Sequence, residues 1–145
     1  MAGQFLLIGL VAFTPDHRRW PGALWLTLLG AVFVALGFGV LVRAFVHLGP
    51  ALTANPVPKL GAPLQVNGIY ARVRHPIYSG LLTASFGIAI WRASALSFLF
   101  LILLASLLNF KARWEEKFLS STHEGYSVYM TKVPRFFPRF RKNRD

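Results

Sequence analysis

The sequence predicts an all-α integral membrane fold with about four transmembrane helices. Two of them form a helical hairpin in the C-terminal half, and a proline-rich cytoplasmic loop and a C-terminal helix complete the single domain, residues 1–145. Three observations lead there. Of the residues, 54% are hydrophobic and only 14% charged, a balance outside the usual soluble range. The apolar residues gather into runs of the kind that cross or enter a bilayer. The basic residues, which give a formal net charge of +11, crowd into loops and the tail, as they do beside membrane spans.

The runs are read in order. Gln4–Phe13 lacks the basic start and small-residue cleavage site of a signal peptide, and is taken as part of a short first span over about 1–14, with a partial interfacial helix as the alternative. Residues 23–46 are the clearest span, long enough to cross as a helix. Gly30, Gly37 and Gly39 punctuate it, and small residues in lipid let helices approach closely. Arg43 near its end can snorkel to the interface. From Gly49 to Asn67, four prolines (Pro50, Pro56, Pro58, Pro63) with Gly49 and Gly61 break any helix. A loop of that length tends to carry function. Residues 77–91 and 94–110, each short against the usual ~20, are joined so briefly around Arg92 that they should form an antiparallel hairpin. Arg43, Lys59, Arg72, Arg74 and the basic tail place the proline-rich loop and the C-terminus in the cytoplasm, with the hairpin tip outside. The turn at Asp16–Arg19 breaks that rule mildly.

Composition also excludes chemistry. With no cysteine, disulfides, thiolate nucleophiles and Cys-based metal sites are ruled out. His17, His47, His75 and His123 lack ligand spacing and no HExxH occurs, so no metal is expected. Six of the last fourteen residues are basic (Lys132, Arg135, Arg139, Arg141, Lys142, Arg144). Beside membrane spans such a tail reads as an anchor on anionic lipid rather than a nucleic-acid arm.

Two polar clusters press against apolar runs on the same side of the membrane, where uncompensated charge is expensive and marks function by default. The first is Arg74-His75-Pro76 with Tyr78. Pro76 suits the first turn of a helix, whose free backbone N–H groups and positive dipole end favour an anionic ligand group. Arg74 can add a bidentate contact, and His75 can donate or accept. An interfacial belt that merely anchors the helix is the plain alternative. The second cluster is Lys111, Arg113, Trp114, Glu115 and Glu116. If the helix continues past Phe110, Arg113 and Glu116 share a face at i,i+3, and Lys111 and Glu115 at i,i+4. The plain alternative is a pair of exposed salt bridges. A carboxylate there can hold a ligand ammonium, a ribose hydroxyl or the field of a cationic sulfur. Tyr126 and Tyr129 fit either a cation site or an interfacial helix.

The ordered blocks Gly68-Ile69-Tyr70, Arg74-His75-Pro76-x-Tyr78-x-Gly80, Glu115-Glu116-x-x-Leu119 and Tyr126-x-x-Tyr129-x-x-x-Val133-Pro134 resemble the isoprenylcysteine carboxyl methyltransferase family. Phospholipid N-methyltransferases are similar relatives. The likeness covers about residues 55–138. It implies an integral-membrane, S-adenosylmethionine-dependent methyltransferase without a Rossmann domain, in keeping with the absence of a GxGxxG motif. By resemblance, segments of about 55–80 and 111–138 form the cofactor site. Gln65, Tyr70, His75, Pro76, Ile77 and Tyr78 line it, and Glu115 or Glu116 closes it from the other side. An Arg before the glutamates orients the substrate carboxylate, here Arg113 or, by register, Lys111. His123-Glu124 departs from the common Phe-Gly. The implied acceptor is an apolar or lipid-modified small molecule entering from the bilayer. A carboxylate acceptor needs no base; an amine would need one, from Glu116 or His75. Two rivals remain. Sterol reductases share a related block but use NADPH, and usually place an acidic residue where Leu81 stands; a non-enzymatic membrane scaffold would bind no cofactor.

Overall fold

The computed structural model describes residues 2–13, 24–49 and 64–138. Among them all regular structure is helical: α1 (Ala2–Phe13), α2 (Leu24–Leu48), a 3-10 turn at Gly68–Ala71, α3 (Pro76–Arg92), α4 (Ala95–Thr122) and α5 (Tyr126–Lys132). Most of the proline-rich loop, the Asp16–Arg19 turn and the end of the basic tail lie outside the described residues.

Two of the four expected spans are long and apolar enough to cross a membrane. These are α2, with 25 residues, and α4, with 28, or about 37 and 42 Å at 1.5 Å per residue against a hydrocarbon core of about 30 Å. α1 has 12 residues and α3 has 17, and each is shorter than that core. α4 contains neither Gly nor Pro, so nothing stops the helix at the end of its apolar run. It continues past Phe110 and carries Glu115 and Glu116 on its last turns.

α2 and α3 pack antiparallel at very close range. A Cβ at Gly30 would lie 2.7 Å from the carbonyl oxygen of Gly87, and one at Gly37 would lie 2.7 Å from that of Gly80. Only hydrogen at these four positions lets the backbones approach so far. Gly39, expected to pack as well, has nothing within 4 Å of where a Cβ would stand, because it lies on the outer face. That face also exposes Trp25, Leu28, Val32, Leu36 and Val46, an apolar stripe suited to acyl chains rather than water.

The turn from α3 to α4 is as short as expected. Ala93 adopts a left-handed conformation (φ 48°) and closes α3, and the Ser94 hydroxyl caps α4 by accepting from the Ser97 N–H. The hairpin is not the main packing unit, however: α3 lies chiefly against α2, while α1 lies against α4. Tyr78, Leu82, Leu104, Leu108 and Ala112 form the buried core, with Leu7, Ile8 and Phe136 packed on it. The inward ridge of α4, Leu104-Leu108-Ala112-Glu116, leads from this core straight to a carboxylate.

Candidate active site

The chain approaches α3 through the 3-10 turn. Gly68 has φ +61° and its hydrogen faces the His47 imidazole, where a Cβ would overlap the ring. Pro76 takes the first turn of α3, as its missing N–H predicts. The two residues before it then meet the two glutamates of α4, so the clusters separated by about forty residues of sequence become one site.

Glu116 sits at its centre, 3% exposed. Arg74 Nε donates to Glu116 Oε1 at 3.0 Å, with Arg74 Nη2 2.8 Å from the same oxygen. Arg135 donates through Nε to Oε1 at 3.0 Å and through Nη2 to Oε2 at 2.5 Å. His75 Nε2 lies 3.2 Å from Oε1. A carboxylate enclosed by two guanidinium groups makes charge-assisted bonds of the strong class. These bonds raise the pKa of Arg135 further, so it stays charged. Most of the Arg74 N–H groups are engaged within the chain, because Nη1 also donates to the carbonyls of Met130 and Val133. The anionic group that it meets here is the chain's own Glu116 carboxylate.

Glu115 has a different setting. Its Oε1 accepts from the Tyr78 hydroxyl at 2.5 Å, and its Oε2 lies 3.5 Å from His75 Nδ1. The His75 ring stacks parallel on Tyr78, centroids 5.4 Å apart. Lys111 Nζ lies 5.2 Å from the Tyr78 ring centroid and donates to Gln4 Oε1 at 3.1 Å. Thus, among the described residues, Glu115 faces one hydroxyl, one imidazole and a nearby ammonium, but no guanidinium.

The segment after α5 completes the site. The N–H groups of Arg74 and His75 donate to the carbonyls of Pro134 (2.9 Å) and Arg135 (3.0 Å), and the Ser79 hydroxyl donates to that of Phe136 (2.6 Å). So the two amides just ahead of α3 are taken by this segment. Among the described residues the next two donors, Ile77 and Tyr78 N–H, have no acceptor, as is usual for the first turn of a helix. Tyr129 hydroxyl donates to the Tyr70 carbonyl at 2.6 Å. Burial pushes the Tyr70 phenol up to about 12, with Tyr129 alongside, and burial does the same to Tyr129, to about 12. Unfolded tyrosine ionises near 10. The native state therefore holds more protons above that pH, and stability should fall as pH rises from about 10 to 12. Thermal unfolding followed with tyrosine absorbance at alkaline pH checks it; a flat profile across that window would refute the burial.

The structure thus brings together His75, Pro76, Ile77, Tyr78, Glu115, Glu116 and Arg74. Tyr70 is buried one turn before them. Gln65 stands apart, its amide donating to the His47 carbonyl at 2.6 Å. Arg113 is exposed on α4, and among the described residues it pairs with neither glutamate; the shared face expected at i,i+3 is not used, because Arg74 and Arg135 already fill the carboxylate. Three participants escape a reading of the sequence. Arg135 looks there like part of the lipid-anchoring tail, though it directly follows the Val133-Pro134 block. Asn109, which accepts from Arg135 Nη1 at 2.8 Å, and Gln4 carry no motif.

A family model described as phospholipid methyltransferase matches residues 25–125. No curated protein and no solved structure matches the chain.

Proposed function

The chain belongs to the phospholipid methyltransferase family, and from that premise we propose that it transfers a methyl group from S-adenosylmethionine to an apolar acceptor held in the membrane. In this reading the protein is multi-pass, with α1 and α3 completing four membrane segments, and the site and C-terminus face the cytoplasm. The observation that carries the proposal is Glu115: among the described residues, a carboxylate bound to Tyr78 and His75 rather than to a guanidinium, beside the Ile77 and Tyr78 amides that have no acceptor there.

Those groups suit the cofactor. When bound, S-adenosylmethionine supplies a methyl group on a cationic sulfur. Glu115 holds positive charge or ribose hydroxyls; the amides of Ile77 and Tyr78 receive an acceptor group; His75, Pro76 and Tyr70 form the wall. Glu116 acts by holding Arg74, Arg135 and His75 in place. Arg113, free of the glutamates, orients the acceptor's own charge. The residues act mainly by setting two reactants in line beside a low-dielectric core. A carboxylate acceptor is already ionised at pH 7. An amine acceptor has to lose a proton, and Glu115 is the carboxylate in position to take it.

The test is calorimetry on detergent-purified protein with S-adenosylmethionine, S-adenosylhomocysteine and NADPH. Micromolar binding of the first two is expected. Glu115→Gln should weaken it about tenfold or more, the loss of a hydrogen bond to a charged group, whereas Arg113→Ala should leave it unchanged and raise the KM of the acceptor. NADPH binding alone would move the chain to the reductases, and no binding in folded protein would favour the scaffold. Radiolabelled methyl groups in membrane lipid then sort the acceptor, since a methyl ester is released by alkali and an N-methyl group is not.

A further inference from the structure

We infer that Arg135 is a positioning residue of this site, clasping the segment after α5 onto Glu116 and thereby fixing the backbone on which residues 75–78 stand. The inference rests on the methyl-transfer reading for what the site binds, but not for the clasp itself.

Residues 133–136 form no regular structure, yet three successive carbonyls serve the start of α3: Pro134 to Arg74 N–H, Arg135 to His75 N–H and Phe136 to the Ser79 hydroxyl. These bonds run parallel to the residues proposed to face the cofactor. Three neutral hydrogen bonds, each worth about 1 kcal/mol net, are a weak hold on a segment without regular structure. The Arg135 side chain supplies the stronger tie. Its guanidinium forks onto both oxygens of Glu116 and reaches Asn109 at 2.8 Å, two turns earlier on α4. Among the described residues no other ion pair joins this segment to α4.

The fork also sets Glu116. Its Oε1 is shared by Arg74, Arg135 and His75, while Oε2 is held by Arg135 Nη2. Without Arg135, Oε2 loses its partner, and the carboxylate can turn toward Arg74 and away from His75. The His75 ring is stacked on Tyr78, which in turn holds Glu115. A rotation of Glu116 thus passes through His75 and Tyr78 to the carboxylate proposed to meet the cofactor, although Arg135 touches none of those groups with its side chain except through Glu116.

Two readouts separate this role from a plain ion pair. The first needs no ligand: hydrogen exchange of the peptide spanning 72–80, with the Gly30–Gly87 end of the α2–α3 crossing as internal reference. In Arg135→Ala the 72–80 amides should exchange about tenfold faster, while that end of the crossing is unchanged. The second is the affinity for S-adenosylhomocysteine, expected to fall about tenfold to a hundredfold. Ethylguanidinium added to Arg135→Ala should restore part of both, and Arg135→Lys, which keeps the charge but not the fork, should lie between. Unchanged protection of 72–80 would overturn the clasp. Faster exchange with undiminished affinity, or no response to ethylguanidinium, would overturn the positioning role. A wild-type protein that binds no S-adenosylhomocysteine would refute the methyl-transfer reading and with it the positioning role, while the exchange measurement still decides the clasp. Should Arg135→Ala fail to fold, Arg135→Lys carries both readouts with the same criteria.

Discussion

Glu116→Ala is expected to destabilise the protein by about 3–5 kcal/mol, the usual loss when one partner of a buried charge group is removed, and to abolish cofactor binding. The reason lies in what would be left. Arg74 is nearly as buried as Glu116, with 9% of its side chain exposed, and Arg135 points at the same place. Without the carboxylate, two guanidinium groups face one another across a small void beside an apolar core. Arg74 would keep the carbonyls of Met130 and Val133, so its hydrogen bonding is only partly lost; its charge is not compensated at all. Glu116→Gln keeps the volume, but its amide NH2 would oppose guanidinium donors, so it should recover less than half of the loss. Thermal or urea unfolding in detergent checks the order wild type, then Gln, then Ala. Because the group is enclosed, the loss should persist in high salt, which screens only exposed pairs. A loss under about 1 kcal/mol that fades with salt would mean a surface pair instead.

The site was legible in the sequence where charge met hydrocarbon. Arg74-His75 and Glu115-Glu116 were conspicuous because each abuts an apolar run, and their convergence follows once α4 is seen to run unbroken past Phe110. The resemblance to a methyltransferase family was carried by the same blocks, and the family match over 25–125 agrees with it. What was illegible has a common physical cause: the partner is chosen in space, against competitors that sequence spacing does not reveal. Arg113 is well placed for Glu116 along the helix, but such a pair is worth only a few tenths of a kcal/mol. Two guanidiniums, 42 and 19 residues away in sequence, displace it. Arg135 was hidden by its neighbours, since in a basic tail one Arg looks like the next. Gln4 and Lys111, 107 residues apart, meet because α1 lies on α4, a pairing that two apolar helices do not announce. The glycines of α2 signalled close packing, but not that α3 would be the partner, nor that Gly39 would be left out.

Gly37→Val should be the most damaging substitution outside the charged cluster, costing about 3 kcal/mol or more, and it should reach the site although it carries no polar group. A Cβ at Gly37 would stand 2.7 Å from the Gly80 carbonyl oxygen and 2.8 Å from Ala84 Cβ. The Gly80 carbonyl is main chain and cannot swing aside, so relief requires α2 and α3 to separate. Overpacking of a tight interface typically costs about 1–3 kcal/mol where side chains can adjust; here backbone has to move, which puts the loss at or above the upper end. The consequence for function follows from Gly80's place. It lies two residues after Tyr78, on the first turns of the helix that begins at Pro76, so displacing α3 at Gly80 shifts the Tyr78 hydroxyl relative to Glu115 on α4. S-adenosylhomocysteine affinity should therefore fall together with stability. Gly39→Val supplies the contrast: with open space around it, it should change stability by no more than about 0.5 kcal/mol and leave affinity intact. Gly87→Val, which would approach the Gly30 carbonyl from the other helix, should reproduce the stability loss farther from the site, and with a smaller effect on binding in the protein that still folds. Normal stability in Gly37→Val would mean that the two helices do not approach as closely as these glycines allow, and the route from the α2–α3 crossing to Tyr78 would fail with it.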